Sequence, residues 1–533
     1  MNVMNIRILP FIVLSLGACL VNAQALPRNK VRFLGQLTLA QLPPIESHPT
    51  SGSGCAGYVS PSGREYAIMG QSNGNSIIEI TDPTNPRIVA HIPGRVSSWH
   101  EVCVLGNYAY ATTEAGGGVQ IIDLTQVDSN IVELANTLQV NGLSRGHTIQ
   151  AVPSSNLIVV NGGDVNGLRV YDCKDPVNPV PVGSWTTKYV HDSFFKKFTS
   201  GTYAGKEICF AFCANGADGG VYIIDFTTTV NAQGLHIPKL EQLSFTRYFN
   251  QTNFYCHSGS LSPDGRTLLV NDELDEANGI SANTTTLILD VTNLSAPVAK
   301  TPFVNPLKTI DHNSMIQDGF LMLSAYKEGL RVYDVGNPLS PKETGFFDTF
   351  NGDGFQFQGA WGTWAGFPSG NVIISDINAG FIVVDPSEAK MLGAPIISST
   401  FENIPIPSGG NVKLRKPDNN PVDVDIPSGN GAIAVNFRTD SLVKGKVDFR
   451  VRAKSRSNQQ ETLRIYAISA VDGSQRQIAT GTLKHNYSDI LANNLSGAEY
   501  IGADNTIRLK VEILPGRKGA AAVDIDLMKA TAH

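Results

Sequence analysis

The sequence predicts an all-β protein: a seven-bladed β-propeller followed by a β-sandwich of the jelly-roll type. Three observations support this. Glycine (51) and proline (29) are abundant, a strand-like motif ending in Asp recurs through the chain, and period-two alternation of apolar and polar residues continues after the motif stops. With 533 residues the chain is too long for one ordinary core, so at least two domains are expected.

The repeated motif is a short apolar strand that ends in Asp. Successive copies are 41, 49, 53, 65, 44 and 51 residues apart, counted from Asp to Asp. Apolar runs on either side of each copy bring every period to about four short strands, which is the pattern of a propeller blade. The copies are SIIEITD (76–82), GVQIID (118–123), GLRVYD (167–172), GVYIID (220–225), TLILD (286–290), GLRVYD (329–334) and GFIVVD (380–385).

The N-terminal part of the repeat region indicates how the ring closes. The segment KVRFLGQLTL (30–39) resembles the outer strand of other units, such as PVPVGSW (179–185), whereas the segment after the seventh motif is a poor outer strand. The sequence therefore predicts that residues 30–39 complete the last blade. Such pairing joins the two ends of the ring and removes a free sheet edge.

The domain boundaries follow from these patterns. We expect a signal peptide at 1–25, the propeller at 30–395 and the sandwich at 405–533. In the last segment, about six to eight runs that alternate between apolar and polar residues predict strands in sheets with one solvent-exposed face.

The N-terminus is typical of an export signal, with an apolar core at 8–20 and small-x-small cleavage sites ending at Ala23 and Ala25. A lipoprotein box at 16–19, with Cys19 as the lipidated residue, is the alternative. Either way the mature chain is expected to be secreted or held at the cell surface, without a transmembrane segment and as a monomer.

Charge and cysteine content narrow the function classes. The chain has 41 basic and 47 acidic residues and no basic cluster, which argues against nucleic-acid binding. An even number of cysteines in an exported chain permits disulfide bonds. The six that follow the leader are Cys55, Cys103, Cys173, Cys209, Cys213 and Cys256.

A histidine opens five of the seven units, where the chain passes from the outer strand of one blade to the innermost strand of the next. These loops form one mouth of the central channel. The acidic residues Glu101, Asp192 and Asp311 lie directly beside three of the histidines. The histidines are His100, His147, His191, His257 and His312.

Three interpretations of these histidines are open, of which one is that they contact an organic ligand or a partner peptide; the other two are as follows. In the first, each imidazole is buried in a hydrogen-bond network that ties its blade together. In the second, they surround the axis and bind a divalent transition metal, as inner-strand histidines do in some seven-bladed propellers, with the acidic neighbours as ligands or as acceptors that orient them. The acidic loop NDELDEANG (271–279) also offers calcium ligands, but its order differs from that of a calcium loop and favours a solvated turn.

Motifs such as GLRVYD and GFIVVD resemble the LVIVD repeat. Residues 30–390, with the leader and the histidine-opened units, resemble the choice-of-anchor B family of exported β-propellers. The resemblance implies the fold and export but no defined activity. Members of that family carry varied C-terminal surface anchors, whereas the end of this chain shows neither an LPxTG motif nor an apolar tail.

Two functions from different classes remain. The first is an extracellular or cell-surface interaction module that binds a surface protein or a polysaccharide, because no nucleophile elbow or HExxH motif is present. The second is a metalloenzyme or metal-binding protein with an axial histidine site. No motif in the sequence selects a reaction.

Overall fold

The computed structural model describes residues 26–390 apart from 46–49, 141, 165 and 250–252, and, beyond 390, the strands of the C-terminal part. The chain divides into two compact units, 1–390 and 391–533. The predicted signal peptide, with Cys19, lies outside the described residues. Within the described residues, no helix has both the length and the apolar character needed to cross a membrane.

The first unit is a seven-bladed β-propeller, as predicted. Each blade has four antiparallel strands, and consecutive blades follow one another along the chain. The short strand Arg28–Asn29 pairs with the outer strand of blade 6 as a fifth. A hairpin at Thr228–Val230 and His236–Pro238 is inserted before the outer strand of blade 4. Together with the long connection 273–284 in blade 5, it accounts for the longest step in the repeat.

From the innermost strand outward, the blades are as follows. Blade 1 has Gly52–Val59, Glu65–Gln71, Gly74–Glu79 and Arg87–Pro93; blade 2 has His100–Leu105, Tyr108–Thr113, Val119–Asp123 and Glu133–Leu138; blade 3 has Thr148–Val152, Leu157–Asn161, Leu168–Asp172 and Val180–Trp185. Blade 4 has Asp192–Lys197, Glu207–Cys213, Gly220–Asp225 and Glu241–Thr246; blade 5 has Cys256–Leu261, Thr267–Asp272, Thr285–Asp290 and Val298–Ala299, with Phe303–Val304 also on its third strand. Blade 6 has Asn313–Gln317, Phe320–Ser324, Leu330–Asp334 and Lys342–Phe347; blade 7 has Ala360–Trp364, Val372–Asp376, Gly380–Asp385 and Arg32–Leu37.

The Asp that ends each repeated motif has a local structural role. Asp172 Oδ1 accepts a hydrogen bond of 2.7 Å from the backbone N–H of Lys174, two residues further on. This side-chain-to-backbone bond stabilises the turn that leads to the outer strand. The same bond forms at the other six copies, Asp82, Asp123, Asp225, Asp290, Asp334 and Asp385.

The Gly that opens most copies is required by a close approach of the outer strand. Gly167 has φ +93°, and a Cβ atom built on it would overlap the carbonyl oxygen of Trp185, the last residue of the outer strand of blade 3. No other residue type fits such a position. The same approach occurs at Gly74, Gly118, Gly220, Gly329 and Gly380.

The predicted closure of the ring is confirmed. Residues Arg32–Leu37 pair antiparallel with the third strand of blade 7, from Arg32 opposite Asp385 to Leu37 opposite Phe381. The Leu37 side chain is buried in an apolar cluster shared by blades 7 and 1. The strand that precedes blade 1 therefore completes blade 7 and links the first blade to the last.

The predicted disulfide bonds are absent among the described residues, where all six cysteines are free thiols. The reason is their placement within blades. Cys103 and Cys173 belong to one apolar cluster, and Cys209 and Cys213 to another, where each thiol packs as a small apolar side chain. Burial is the main cause that raises the pKa of Cys173 to about 12.

The C-terminal unit contains two antiparallel sheets, the arrangement that a β-sandwich requires. In sheet order, the strands of the first are Lys413–Leu414, Val422–Ile426, Ala521–Ala532, Lys446–Ser455 and Ser488–Ser496. Those of the second are Gly431–Arg438, Thr506–Leu514, Glu461–Ile468 and Gln475–Leu483.

Candidate functional site

The propeller encloses an axial channel of about 950 Å³, which is lined by the innermost strand of every blade. Four of the five predicted histidines line this channel as an arc over consecutive blades. The ring centroids are 4.1 Å apart between His147 and His191, 4.0 Å between His191 and His257, and 4.2 Å between His257 and His312. The repeated position thus places four imidazoles side by side, as the sequence pattern indicates.

The fifth histidine, His100, does not line the channel. It lies in a separate small pocket beside Gly94, and both of its ring nitrogens lack a hydrogen-bond partner within the described structure. In blade 2 the channel face is taken by Glu101, the residue after the histidine.

Glu101 and Trp361 continue the ring beyond the four histidines. The Trp361 indole stacks edge-on against His312, with centroids 5.0 Å apart, and its Nε1–H donates a hydrogen bond of 2.8 Å to Glu101 Oε1. In blade 1, Gly54 leaves the space that the Glu101 carboxylate occupies. The mouth therefore combines imidazoles on one side with a carboxyl–indole pair on the other.

Backbone contacts fix the orientation of two histidines. The Nδ1–H of His191 donates to the carbonyl oxygen of His257 at 3.0 Å, and the Nδ1–H of His312 donates to that of Trp361 at 2.6 Å. In a neutral imidazole this leaves Nε2 as a lone-pair donor, the form that binds metals. Burial, the largest cause, lowers the pKa of His312 to about 3, and also lowers the pKa values of His191 and His257.

The pKa of His147 is shifted in the opposite direction from those of its three neighbours. Its Nδ1 lies 2.6 Å from Glu114 Oε1, and its Nε2 lies 2.6 Å from Nε2 of His191. Burial acts to lower the pKa of His147, but the hydrogen bond and charge of Glu114 outweigh it and raise the pKa. Because His191 Nε2 is an acceptor, His147 Nε2 donates to it. Glu114, His147 and His191 form a proton-bridged chain along the wall.

His257, His312 and Glu273 form a group with metal-ligand geometry. Nε2 of His257 lies 3.9 Å from Glu273 Oε2, and Nε2 of His312 lies 3.4 Å from Glu273 Oε1. One ligand atom from each of the three residues lies within 4.8 Å of the others. Ligands bound to one ion at about 2.0–2.2 Å lie roughly 3.0–4.2 Å apart. The two measured distances, one to each oxygen of Glu273, both lie in this range.

Tyr326 and burial determine the state of Glu273. The Tyr326 hydroxyl donates a hydrogen bond of 2.8 Å to Glu273 Oε1 and orients the carboxyl group toward the two histidines. Burial is the main cause that raises the pKa of Glu273 to about 7, although the Tyr326 hydrogen bond opposes it. A cation between the three residues would supply the positive charge that favours the ionised carboxylate.

The two predicted aspartates lie outside this group. Asp192 lines the channel, where its Oδ1 accepts hydrogen bonds from Gln150 Nε2 at 2.8 Å and Thr148 Oγ1 at 3.2 Å. Asp311 is fully buried away from the channel, where it accepts a hydrogen bond from Asn271. In the described part of the chain, neither carboxylate forms a hydrogen bond with the imidazole beside it in sequence.

Sequence reasoning missed Glu114, Glu273 and Tyr326, although they share one position in the repeat. Each lies six residues after the residue that pairs with the terminal Asp of the third strand, namely Tyr108, Thr267 and Phe320. Alignment of the second strands, and not only of the histidines, would have identified this position. In these three blades, this position supplies a side chain that contacts an imidazole of the channel wall.

Glu101 provides a pH-dependent test of the channel mouth. Burial raises its folded pKa to about 7, partly opposed by the Trp361 hydrogen bond. The folded state therefore binds its proton more tightly than the unfolded state. The resulting stability is present below about pH 4.5 and is lost as the pH rises through 7.

Glu101→Gln keeps an acceptor for Trp361 but does not titrate. We expect its unfolding free energy, relative to wild type, to increase from pH 5 to pH 8, as measured by urea denaturation at both values. An equal difference at the two pH values would show that Glu101 does not titrate in this range.

No protein-family model matches the chain, and no curated protein matches it. Among solved structures, the chain is similar to hydrazine synthase of Kuenenia stuttgartiensis, with a TM-score of 0.42 and 11% identity over 61% of this chain and 94% of that one. It is also similar to a protein from Lactobacillus plantarum, with a TM-score of 0.40 and 13% identity over 61% of this chain and 87% of that one.

Proposed function

We propose that this protein is an exported, LVIVD-type β-propeller of the choice-of-anchor B kind that binds one divalent transition metal at the mouth of its channel. The observation that carries the metal site is the convergence of His257, His312 and Glu273 within 4.8 Å. Export rests on the N-terminal apolar segment and its small-x-small sites, and the family on the repeated motifs.

The donor set favours zinc or ferrous iron. Two imidazoles and one carboxylate are a common three-ligand set for catalytic zinc and for non-haem iron, and both leave coordination positions open. The three residues line the channel, so these positions face the cavity of about 950 Å³. A metal held there would polarise a bound molecule or activate water. Glu114 with His147 offers a proton donor on the same wall.

Metal binding tests this proposal directly. Mature protein purified without chelators is expected to contain close to one metal ion per chain by mass spectrometry, and chelated protein to bind Zn²⁺ in calorimetry. His257→Ala/His312→Ala should weaken Zn²⁺ binding at least about 100-fold, since removal of outer partners alone costs 10–100-fold. Co²⁺ should give visible d–d absorption in wild type and not in the double variant.

Two further variants keep the result interpretable. Glu273→Gln retains the shape of the side chain and the Tyr326 contact, so weaker binding there cannot be attributed to misfolding. His236→Ala is the matched control, because His236 is half-buried beside Asp172 outside the channel and should leave metal binding unchanged. Wild-type protein that binds neither Zn²⁺, Fe²⁺ nor Co²⁺, or equal binding by the double variant, would refute the metal site.

An interaction module is the second candidate function. Trp99 lines the channel with 41% of its surface exposed, and an exposed indole at a cavity suits contact with a sugar ring or a peptide side chain. Absence of metal from wild-type protein would favour this candidate over the first.

A further inference from the structure

A second group of acidic side chains lies in blade 5, apart from the channel. Asp275 and Glu276 follow the second strand of this blade, and Asp311 lies in the segment that leads to the innermost strand of blade 6. One carboxylate oxygen from each lies within 4.8 Å of the others. The turn at 271–279 was expected to be solvated, but its residues Asp275 and Glu276 are 0% and 2% exposed. Asp311, which lies beside them, is also 0% exposed.

Hydrogen bonds satisfy only part of this group. Asp275 accepts bonds from Ser281 Oγ and the Glu276 N–H, and Glu276 Oε1 accepts one from the Thr285 N–H. Asp311 Oδ2 accepts two, from Asn271 Nδ2 and Thr286 Oγ1. Two buried oxygens, Glu276 Oε2 and Asp311 Oδ1, have no partner in the described structure. Unpaired buried carboxylate oxygens are costly, and they lie here on two different members of one group.

No basic side chain compensates the charge. Among the described residues, none of the three carboxylates forms an ion pair with Lys, Arg or His. Three adjacent acids at this depth require either bound protons or a cation.

We propose that Asp275, Glu276 and Asp311 bind a calcium ion that joins blade 5 to blade 6. Calcium takes oxygen ligands in flexible arrangements, and carboxylates are among its usual ligands in proteins. Magnesium fits less well, because it keeps several waters and demands octahedral geometry. The two unpartnered oxygens and the Asp275 carboxylate provide three of the oxygen ligands that calcium requires.

The ion would also influence the channel. Asp275 lies two residues after Glu273, and Asp311 directly precedes His312. Calcium would therefore hold the two backbone segments that carry two of the three transition-metal ligands. The calcium site does not depend on the proposed function, because it uses other side chains and a harder class of ion.

Calcium titration of the full chain tests the site. After treatment with a chelator, wild-type protein is expected to bind one Ca²⁺ in calorimetry and to gain several degrees in its thermal midpoint. Glu276→Gln keeps the side-chain shape but removes one charge and one strong ligand, so it should lose most of the calcium-induced shift. Glu133→Gln, on the exposed outer strand of blade 2, is the matched control and should respond as wild type does.

Two results would overturn the proposal. One is wild-type protein whose midpoint is unchanged by millimolar Ca²⁺, which would mean that the acids hold protons instead. The other is an equal shift in Glu276→Gln. The His257→Ala/His312→Ala variant should still bind Ca²⁺, so failure of the calcium site is distinguishable from failure of the transition-metal site.

Discussion

Leu37→Asp is expected to destabilise the propeller by about 3–5 kcal/mol, the cost typical of an uncompensated buried charge. Leu37 is 7% exposed and packs against Met69, Ile78 and Phe381 in the cluster between blades 7 and 1. A carboxylate at this position has no basic partner in that cluster. The strand that closes the ring would lose its main apolar anchor.

Urea denaturation followed by tryptophan fluorescence measures this effect. The four tryptophans, Trp99, Trp185, Trp361 and Trp364, all lie in the propeller, so the signal reports on this unit alone. Arg32→Ala is the control in the same strand. Its ion pair with Asp385 is largely exposed, so its loss should cost less than about 1 kcal/mol. Similar midpoints for Leu37→Asp and Arg32→Ala would show that this strand does not support the fold.

Gly167→Ala is expected to cost about 3–5 kcal/mol, although it adds one methyl group. Roughly 1–2 kcal/mol comes from the left-handed backbone conformation at φ +93°. The remainder comes from the overlap with the Trp185 carbonyl, which the outer strand can relieve only by moving away. The same fluorescence measurement should show a lower urea midpoint and, if the strand separates, a changed Trp185 emission.

Gly63→Ala separates the two contributions to this cost. Gly63 has φ +86°, close to that of Gly167, but a Cβ atom there has no neighbour within 4 Å. It should therefore cost only the backbone strain, about 1–2 kcal/mol. Equal losses for the two alanine variants would mean that the close approach of the outer strand does not explain the repeated glycine.

The blade count and the closing strand could be predicted from sequence because both depend on local patterns. Asp82 and its six equivalents recur since each caps a turn, and Gly167 and its equivalents recur since each meets a carbonyl. Residues 30–39 resemble outer strands because Arg32–Leu37 occupies the environment of one. When a backbone contact permits only one residue type, that residue recurs from repeat to repeat and the structural feature can be predicted from sequence.

The candidate site was only partly predictable because side-chain direction depends on strand alternation and on neighbouring blades. His100 shares the repeat position of His147, yet Glu101 takes the channel face in blade 2. Glu273 meets His257 and His312 through contacts within and between blades that spacing does not reveal. The same holds for Asp311, whose hydrogen-bond donors are Asn271 and Thr286 of the preceding blade.

The closing strand also determines the order in which the molecule assembles. Arg32 and its partner Asp385 are 353 residues apart in sequence, so their pairing is among the most non-local contacts of the propeller. Loop-closure entropy opposes such a contact until the intervening blades have folded and brought the ends together. Blade 7 is thus expected to form last, and until then its third strand presents an unpaired edge to which another chain could add. Because synthesis proceeds from the N-terminus, Arg32–Leu37 is made before all seven third strands and can pair only after Gly380–Asp385, the last of them, has been made.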